Sequence, residues 1–254
     1  MIVGITGTKG KTTISTLLHH SFRGLKKDVC SFTTNEAKKN DEVMRANPNM
    51  SSLFAVIEEE TEFKILEATS HCLEMAFFPP KIADCVILTG IERGEHEEIH
   101  SGFDRYLYVK RKIFEVRKEN ALGFVCRDDP HFDELTDSVK NIVTYGFDVR
   151  SDHVLKMLSL NAEKMRFQLI SSSETVDFAT SILGVHNASN AAAAFLVLKE
   201  SGFTSEQAVE AIEGFAGTPG RFERHSVQTN DKKKSVIIDS DLEKVWSKIS
   251  KITK

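Results

Sequence analysis

Apolar positions along the chain take turns between short runs and helical stripes. Ile2 to Thr6 is a β-branched run closed by Gly7, and behind it Ile14, Leu17, Leu18 and Phe22 recur at helical spacing. That order predicts strand, loop, helix. Buried-strand patterns recur at residues 29–33, 63–67, 84–88, 122–126 and 142–145, with helical patterns between them at 51–60, 103–116 and 131–140. The alternation predicts an α/β fold, a mostly parallel sheet with helices on both faces. From about residue 154 to 182 the texture changes. Residues 154–161, 165–171 and 175–180 alternate and are joined by polar turns, which predicts a small antiparallel meander on one edge of the main sheet. Two helices are predicted next, 187–200 and 205–215, the second with Ser205 as N-cap. A Gly/Pro turn at 217–220, a hairpin around 230–234, a strand at 235–239 and a helix at 242–252 complete the reading.

With 41% hydrophobic and 28% charged residues over 254 positions, the composition excludes disorder and fibres. Lys plus Arg at 33 against Asp plus Glu at 37 gives a net charge of −4, so the overall field attracts neither a polyanion nor an anionic membrane. Any phosphate site must be local. The basic run 232–234 reads as a solvated turn because no aromatic residue interleaves it, and no nucleic-acid partner is expected. Cysteines at 30, 72, 85 and 126 form no CxxC pair, which signals neither a zinc cluster nor a disulfide framework and fits a reducing, cytoplasmic location. The N-terminus lacks the basic-then-apolar order of a signal peptide, and no stretch approaches the ~20 apolar residues of a membrane span.

Local chemistry concentrates in Gly7-Thr8-Lys9-Gly10-Lys11-Thr12-Thr13, between the first predicted strand and helix. In that context a glycine loop points successive backbone N–H groups at a triphosphate, Lys11 reaches the β- and γ-phosphates, and Thr12 holds Mg²⁺. A plain glycine turn is the bland alternative. The common GxxxxGK[ST] spacing would place glycine at position 5, where this chain has Ile5. Glu67 closes a predicted strand, as the metal-binding acid of many NTPases does, although an exposed strand-terminal glutamate fits the same pattern. Lys110 has Tyr106, Ile113 and Phe114 at i−4, i+3 and i+4 and so borders an apolar face, where a free ammonium is costly. A snorkelling surface lysine fits that spacing too. Asp128 and Asp129 read as turn formers.

The variant G-T-x-G-K-T-T resembles the phosphate loop of the Mur ligase family, ATP-dependent enzymes that add amino acids to peptidoglycan precursors. Further segments follow in family order. Residues 67–71 (E-A-T-S-H) resemble E-V-S-S-H, and residues 89–100 resemble T-N-x-x-x-D-H-x-x-x-H. His96 and His100 keep the four-residue spacing, and Lys110 lies ten residues beyond His100, where the family has its lysine. Gly90 stands in place of Asn, Glu95 in place of Asp, and one extra residue precedes His96. Residues 126–129 (C-R-D-D) resemble N-A-D-D, residues 184–190 resemble G-x-H-N-x-x-N, and Gly220-Arg221-Phe222-Glu223 resembles G-R-x-E. Asp239 closes a strand like the one before the family's D-Y-A-H-T-P, after which the chain departs from the pattern.

This resemblance implies roles. Glu67 would reach the nucleotide's Mg²⁺, His96 would bind a second Mg²⁺, and Lys110 would be carbamylated to help hold it. Asn187 and Asn190 would lie at the adenine, although an Asn near a helix start is commonly only a cap. Arg221 would contact the phosphates and Asp239 the ribose. The likeness covers residues 1–239 as a central ATPase domain of a three-domain family, closest to the tripeptide-synthetase branch. Residues 240–254 are then the truncated start of a missing C-terminal domain. The implied activity is ADP-forming amide ligation through an acyl phosphate, with ATP, a UDP-muramyl peptide and an amino acid as substrates. A different class of reading is a catalytically incomplete nucleotide-binding remnant or regulatory module, or a chain completed by a protein that supplies the flanking domains.

Overall fold

A computed structural model describes residues 1–94, 99–161 and 163–217, together with the backbone of 223–229 and 232–238. β1 (Ile2–Thr6) leads through the glycine loop into α1 (Lys11–Gly24) and β2 (Val29–Phe32). A polar hairpin follows, β3 (Glu36–Lys39) and β4 (Glu42–Ala46), then α2 (Met50–Glu58), β5 (Phe63–Glu67) and the five-residue α3 (Ser70–Glu74). β6 (Ala83–Leu88) precedes α4 (Phe103–Arg111), α5 (Ile113–Val116), β7 (Arg117–Cys126), α6 (Phe132–Thr136) and β8 (Ile142–Gly146). The meander is β9 (His153–Leu160), β10 (Met165–Ile170) and β11 (Thr175–Thr180), and it is followed by α7 (Val185–Glu200) and α8 (Ser205–Glu213). β12 (Glu223–Thr229) and β13 (Lys232–Ile238) pair antiparallel as a separate two-stranded sheet.

The main sheet has 11 strands in the order β11-β10-β9-β8-β7-β6-β1-β5-β2-β3-β4. From β9 across to β2 every neighbouring pair is parallel, and antiparallel pairs extend each end. The expected α/β architecture and its edge meander are both present. Side-chain alternation explains the two helical layers: Val3, Ile5 and Ile65 enter one core with α1, α7 and α8, whereas Ile2, Leu66 and Val86 enter another with α2, α3 and α5. The run 191–194 of α7 is fully buried alanine, which lets that helix lie close against the sheet and α1. α1 runs from β1 past β5 to β2, while β6 lies on the other flank of β1. The carboxyl ends of β1, β5 and β6 therefore border a topological switch point, the usual ligand crevice of such sheets.

Several expectations need correction. The cap of α8 is Thr204, not Ser205, because Gln207 completes a capping box with it. The single helix expected over 103–116 breaks at Lys112, where Lys112 and Glu115 make tighter i→i−3 bonds. The helix expected over 131–140 shrinks to α6. The run 232–234 lies in β13, where pairing with β12 overrides its local charge. β3, β4 and α3 were not expected at all. The helix placed at 242–252, with the boundary at 239, lies outside the described residues.

Candidate functional site

Gly7 ends β1 with φ 145°, and a Cβ there would lie 1.8 Å from Thr89 Oγ1, so only glycine lets the chain turn under the loop that follows β6. Gly10 is the left-handed N-cap of α1 (φ 86°), and its missing Cβ makes room for Asn190 Oδ1 of α7, 2.6 Å from where that carbon would stand. α1 begins directly behind this loop, so the positive end of its dipole lies at Gly10. Lys11 Nζ folds back to donate to the carbonyls of Gly7 (2.9 Å) and Thr8 (3.0 Å).

Glu67, at the end of β5, is 1% exposed, which removes the surface-glutamate alternative. Its Oε2 accepts from Thr12 Oγ1 at 3.0 Å and from the Thr34 amide at 3.3 Å. The two side chains expected at the nucleotide's metal therefore already meet. Lys110 is also 1% exposed, so it is not a snorkelling surface lysine. Nζ donates to Gly7 O at 2.8 Å and to Thr6 Oγ1 at 3.3 Å, and it stands 5.3 Å from the Tyr106 ring centroid. Burial pushes the Lys110 amine well below the ordinary lysine range, and the neighbouring Lys11 charge adds to that. Glu67 and Cys72 oppose it without reversing it. Two lysine amines thus converge on one carbonyl oxygen, Gly7 O.

A second layer holds the loop. Thr8 N donates to Gly90 O (2.7 Å), Thr8 Oγ1 shares a 3.0 Å hydrogen bond with Tyr106 OH and accepts from the Glu92 amide (2.9 Å), and Thr89 Oγ1 donates to Lys9 O (2.6 Å). Lys9 pairs with Glu92 across the loop at 2.5 Å, exposed on both sides. Ile91 N in turn donates to buried Asp129, whose carboxyl is held above its usual range by burial. Asp128 and Asp129 accept from backbone amides, as turn formers do.

Of the other expected site residues, Asn187 and Asn190 are buried and bonded to each other at 2.9 Å, with Asn187 Nδ2 also donating to Leu183 O. Their face meets the start of α1 at Gly10. His96, Arg221 and Asp239 lie outside the described residues. Among the described residues no cluster of three or more His, Cys, Asp or Glu could hold a metal ion. The oxygen pair of Thr12 and Glu67 nonetheless suits Mg²⁺, a hard cation that takes one or two carboxylates and completes its shell with water and phosphate oxygens. Sequence reasoning missed Tyr106, Thr89, Glu92 and the His100–Glu74 pair. The register of His100 was visible, but no role was assigned to it.

Comparison with known proteins identifies the family. The family model described as the Mur ligase middle domain matches residues 5–198. The chain is 29% identical over 252 residues to a UDP-N-acetylmuramoyl-L-alanyl-D-glutamate–2,6-diaminopimelate ligase of Alkaliphilus oremlandii, covering 94% of this chain and 50% of that one. It is 27% identical over 235 residues to the corresponding L-lysine ligase of Staphylococcus haemolyticus, covering 87% and 47%. Among solved structures, a diaminopimelate ligase of the same description superposes with TM-score 0.77 at 21% identity, over 93% of this chain and 50% of that one. MurF ligase from Thermotoga maritima, solved in complex with ADP, superposes with TM-score 0.71 at 20% identity over 90% and 51%. The chain spans about half the length of the curated relatives it matches.

Proposed function

This chain belongs to the Mur ligase family, matching its middle domain, and from that premise we propose that it binds Mg-ATP through Gly7–Thr13 for ADP-forming amide ligation on a peptidoglycan precursor. The observation that carries the reading is the convergence of Lys11 and Lys110 on Gly7 O beside the helix N-terminus, with Thr12 and Glu67 in contact below it. In a chain of net charge −4 the Lys11 ammonium and the α1 N-terminus supply a local centre for an anion. On nucleotide binding Lys11 exchanges its two carbonyl acceptors for β- and γ-phosphate oxygens. Thr12 and Glu67 would hold Mg²⁺, which supplies charge neutralisation at the phosphates. The γ-phosphoryl group passes to an acceptor carboxylate, and an amine then attacks the acyl phosphate, forming the amide and releasing phosphate. A UDP-muramyl peptide and an amino acid are the substrate classes, by analogy with the names of the relatives.

Burial supports a further part of the reading, the carbamate on Lys110. The neutral amine adds CO₂ to give an N-carboxylate and releases one proton, and the depressed affinity of Nζ for its proton favours the form that reacts. That would turn a buried amine into an acid able, with His96, to serve a second Mg²⁺. Asn187 and Asn190 remain assigned to the adenine, Arg221 to the phosphates and Asp239 to the ribose. Protein incubated with ¹³C-bicarbonate, Mg²⁺ and ATP should show a carbamate resonance absent from Lys110→Met. Identical spectra would refute the carbamate. Glu67→Gln should weaken Mg²⁺-dependent ATP binding by about tenfold, the scale of one charge-assisted contact, and an unchanged magnesium dependence would refute the metal assignment.

A further inference from the structure

Glu74 is the last residue of α3, the short helix that follows Glu67 and β5, and its carboxylate reaches across to the segment that opens α4. Oε2 accepts from His100 Nδ1 at 2.7 Å and Oε1 pairs with Arg105 at 3.1 Å. The His100 side chain is 0% exposed, its ring lies 5.5 Å from that of Tyr106, and Nε2 has no hydrogen-bond partner among the described residues. With a carboxylate accepting there, Nδ1 carries the proton of this bond. α4 has no side-chain cap: its N-cap is Gly102 at φ 118°, preceded by Ser101 at φ 59°. A helix entered through two left-handed residues and left uncapped needs an anchor at its start, and the part-buried bond from His100 to Glu74 stands there, ahead of the buried bonds that Tyr106 and Lys110 make further along the helix.

We propose that His100, held by Glu74, is a positioning residue that sets α4 against the phosphate loop, so that Tyr106 meets Thr8 and Lys110 meets Gly7 opposite Glu67. Both partners of the device are tied to the site by the chain itself. Glu74 sits one short helix after Glu67, and His100 sits just before the helix that carries Tyr106 and Lys110. Loss of the bond frees the start of α4 to slide, and Lys110 is the group whose burial depends on that register. The significance of this placement for catalysis rests on the reading of Lys110 given above, but the placement itself is measurable without nucleotide.

The test is the rate at which Lys110 reacts with an amine-labelling reagent, followed by mass spectrometry across pH in the full chain. Wild-type Lys110 is expected to be slow relative to exposed lysines. His100→Leu keeps the volume and the apolar contact with Tyr106 but removes the donor, and it should raise the Lys110 rate by about tenfold, the scale of one hydrogen bond to a charged group. His100→Asn, which returns an N–H to the Nδ1 position, should restore slow labelling. Glu74→Leu, at a partly exposed position, should expose Lys110 as His100→Leu does and decides the question if that variant fails to fold. Slow labelling in folded His100→Leu or Glu74→Leu, or labelling of His100→Asn as fast as that of His100→Leu, overturns the proposal. Absence of ATP binding would sink the functional reading and leave this result standing.

Discussion

At the carboxyl ends of β7 and β8, Asp128 accepts from the amides of Phe147 and Asp148, Asp129 from those of Ile91 and His131, and Asp148 is clamped by Arg150, which holds its carboxyl well below the usual range. At the ends of β1 and β5, along the same edge of the sheet, charge is arranged differently. Two lysines lean on one carbonyl oxygen, and Glu67 answers a hydroxyl and an amide, not a cation. The first region answers its acids with backbone amides and with the Arg150 guanidinium, and among its described buried side-chain atoms Arg127 Nε is left without a hydrogen-bond partner. The second keeps buried or half-buried ionisable groups on neutral partners, a costly arrangement that fits the Mg-ATP site proposed here. Both regions contain an acid near the end of a strand, so position alone does not separate structure from function. What the acid answers does.

Breaking the first region should cost the most. Asp129→Ala orphans the buried Ile91 amide and should destabilise the fold by about 2–3 kcal/mol, read by denaturant titration. Its ATP affinity, measured on the folded fraction, should change less than its stability. A loss confined to nucleotide affinity would dissolve the contrast between the regions.

Lys110→Met sharpens the contrast with the opposite sign. The folded Lys110 holds its proton less tightly than an unfolded lysine, whose ordinary value is 10.5, so the unfolded state takes up the extra proton as pH falls below that value and the native state loses stability. Removing the amine should therefore stabilise the protein at pH 7 by about 1 kcal/mol, the scale of a favourable single substitution, with Gly7 O still served by Lys11. The gain should vanish as pH approaches 10.5. Destabilisation at every pH would show that Lys110 is an ordinary structural lysine. The smallest effect belongs to the exposed pair Lys9–Glu92, where Glu92→Gln should change stability by about 0.2–1 kcal/mol at most and less at high salt.

Much of this was legible in the sequence, for reasons that differ by element. The phosphate loop is legible because two glycines and a lysine fall between a β-branched run and a helical stripe, and Glu67 because it closes a short buried-strand pattern, residues 63–67. Lys110 was only half legible: helical spacing gives the face of a residue, not its depth, and the depth comes from packing against β1. α3 is five residues long, too short to show a period, and β4 is exposed throughout, so neither carries a hydrophobic signature. The Thr204 cap was legible in principle, since Gln207 follows it by three residues, but the adjacent Ser205 drew the assignment. The His100–Glu74 bond joins residues 26 apart, from the turn before α4 to the end of α3, and no local pattern announces it.

The most direct test of the account is calorimetric titration of the protein with ATP in the presence and absence of Mg²⁺, repeated on Lys11→Ala. The account predicts Mg²⁺-dependent binding that weakens by about 2–3 kcal/mol in the variant, the scale of charge-assisted hydrogen bonds to phosphate, while the stability of the variant stays near that of the wild type. Equal nucleotide affinity in the two proteins would contradict it.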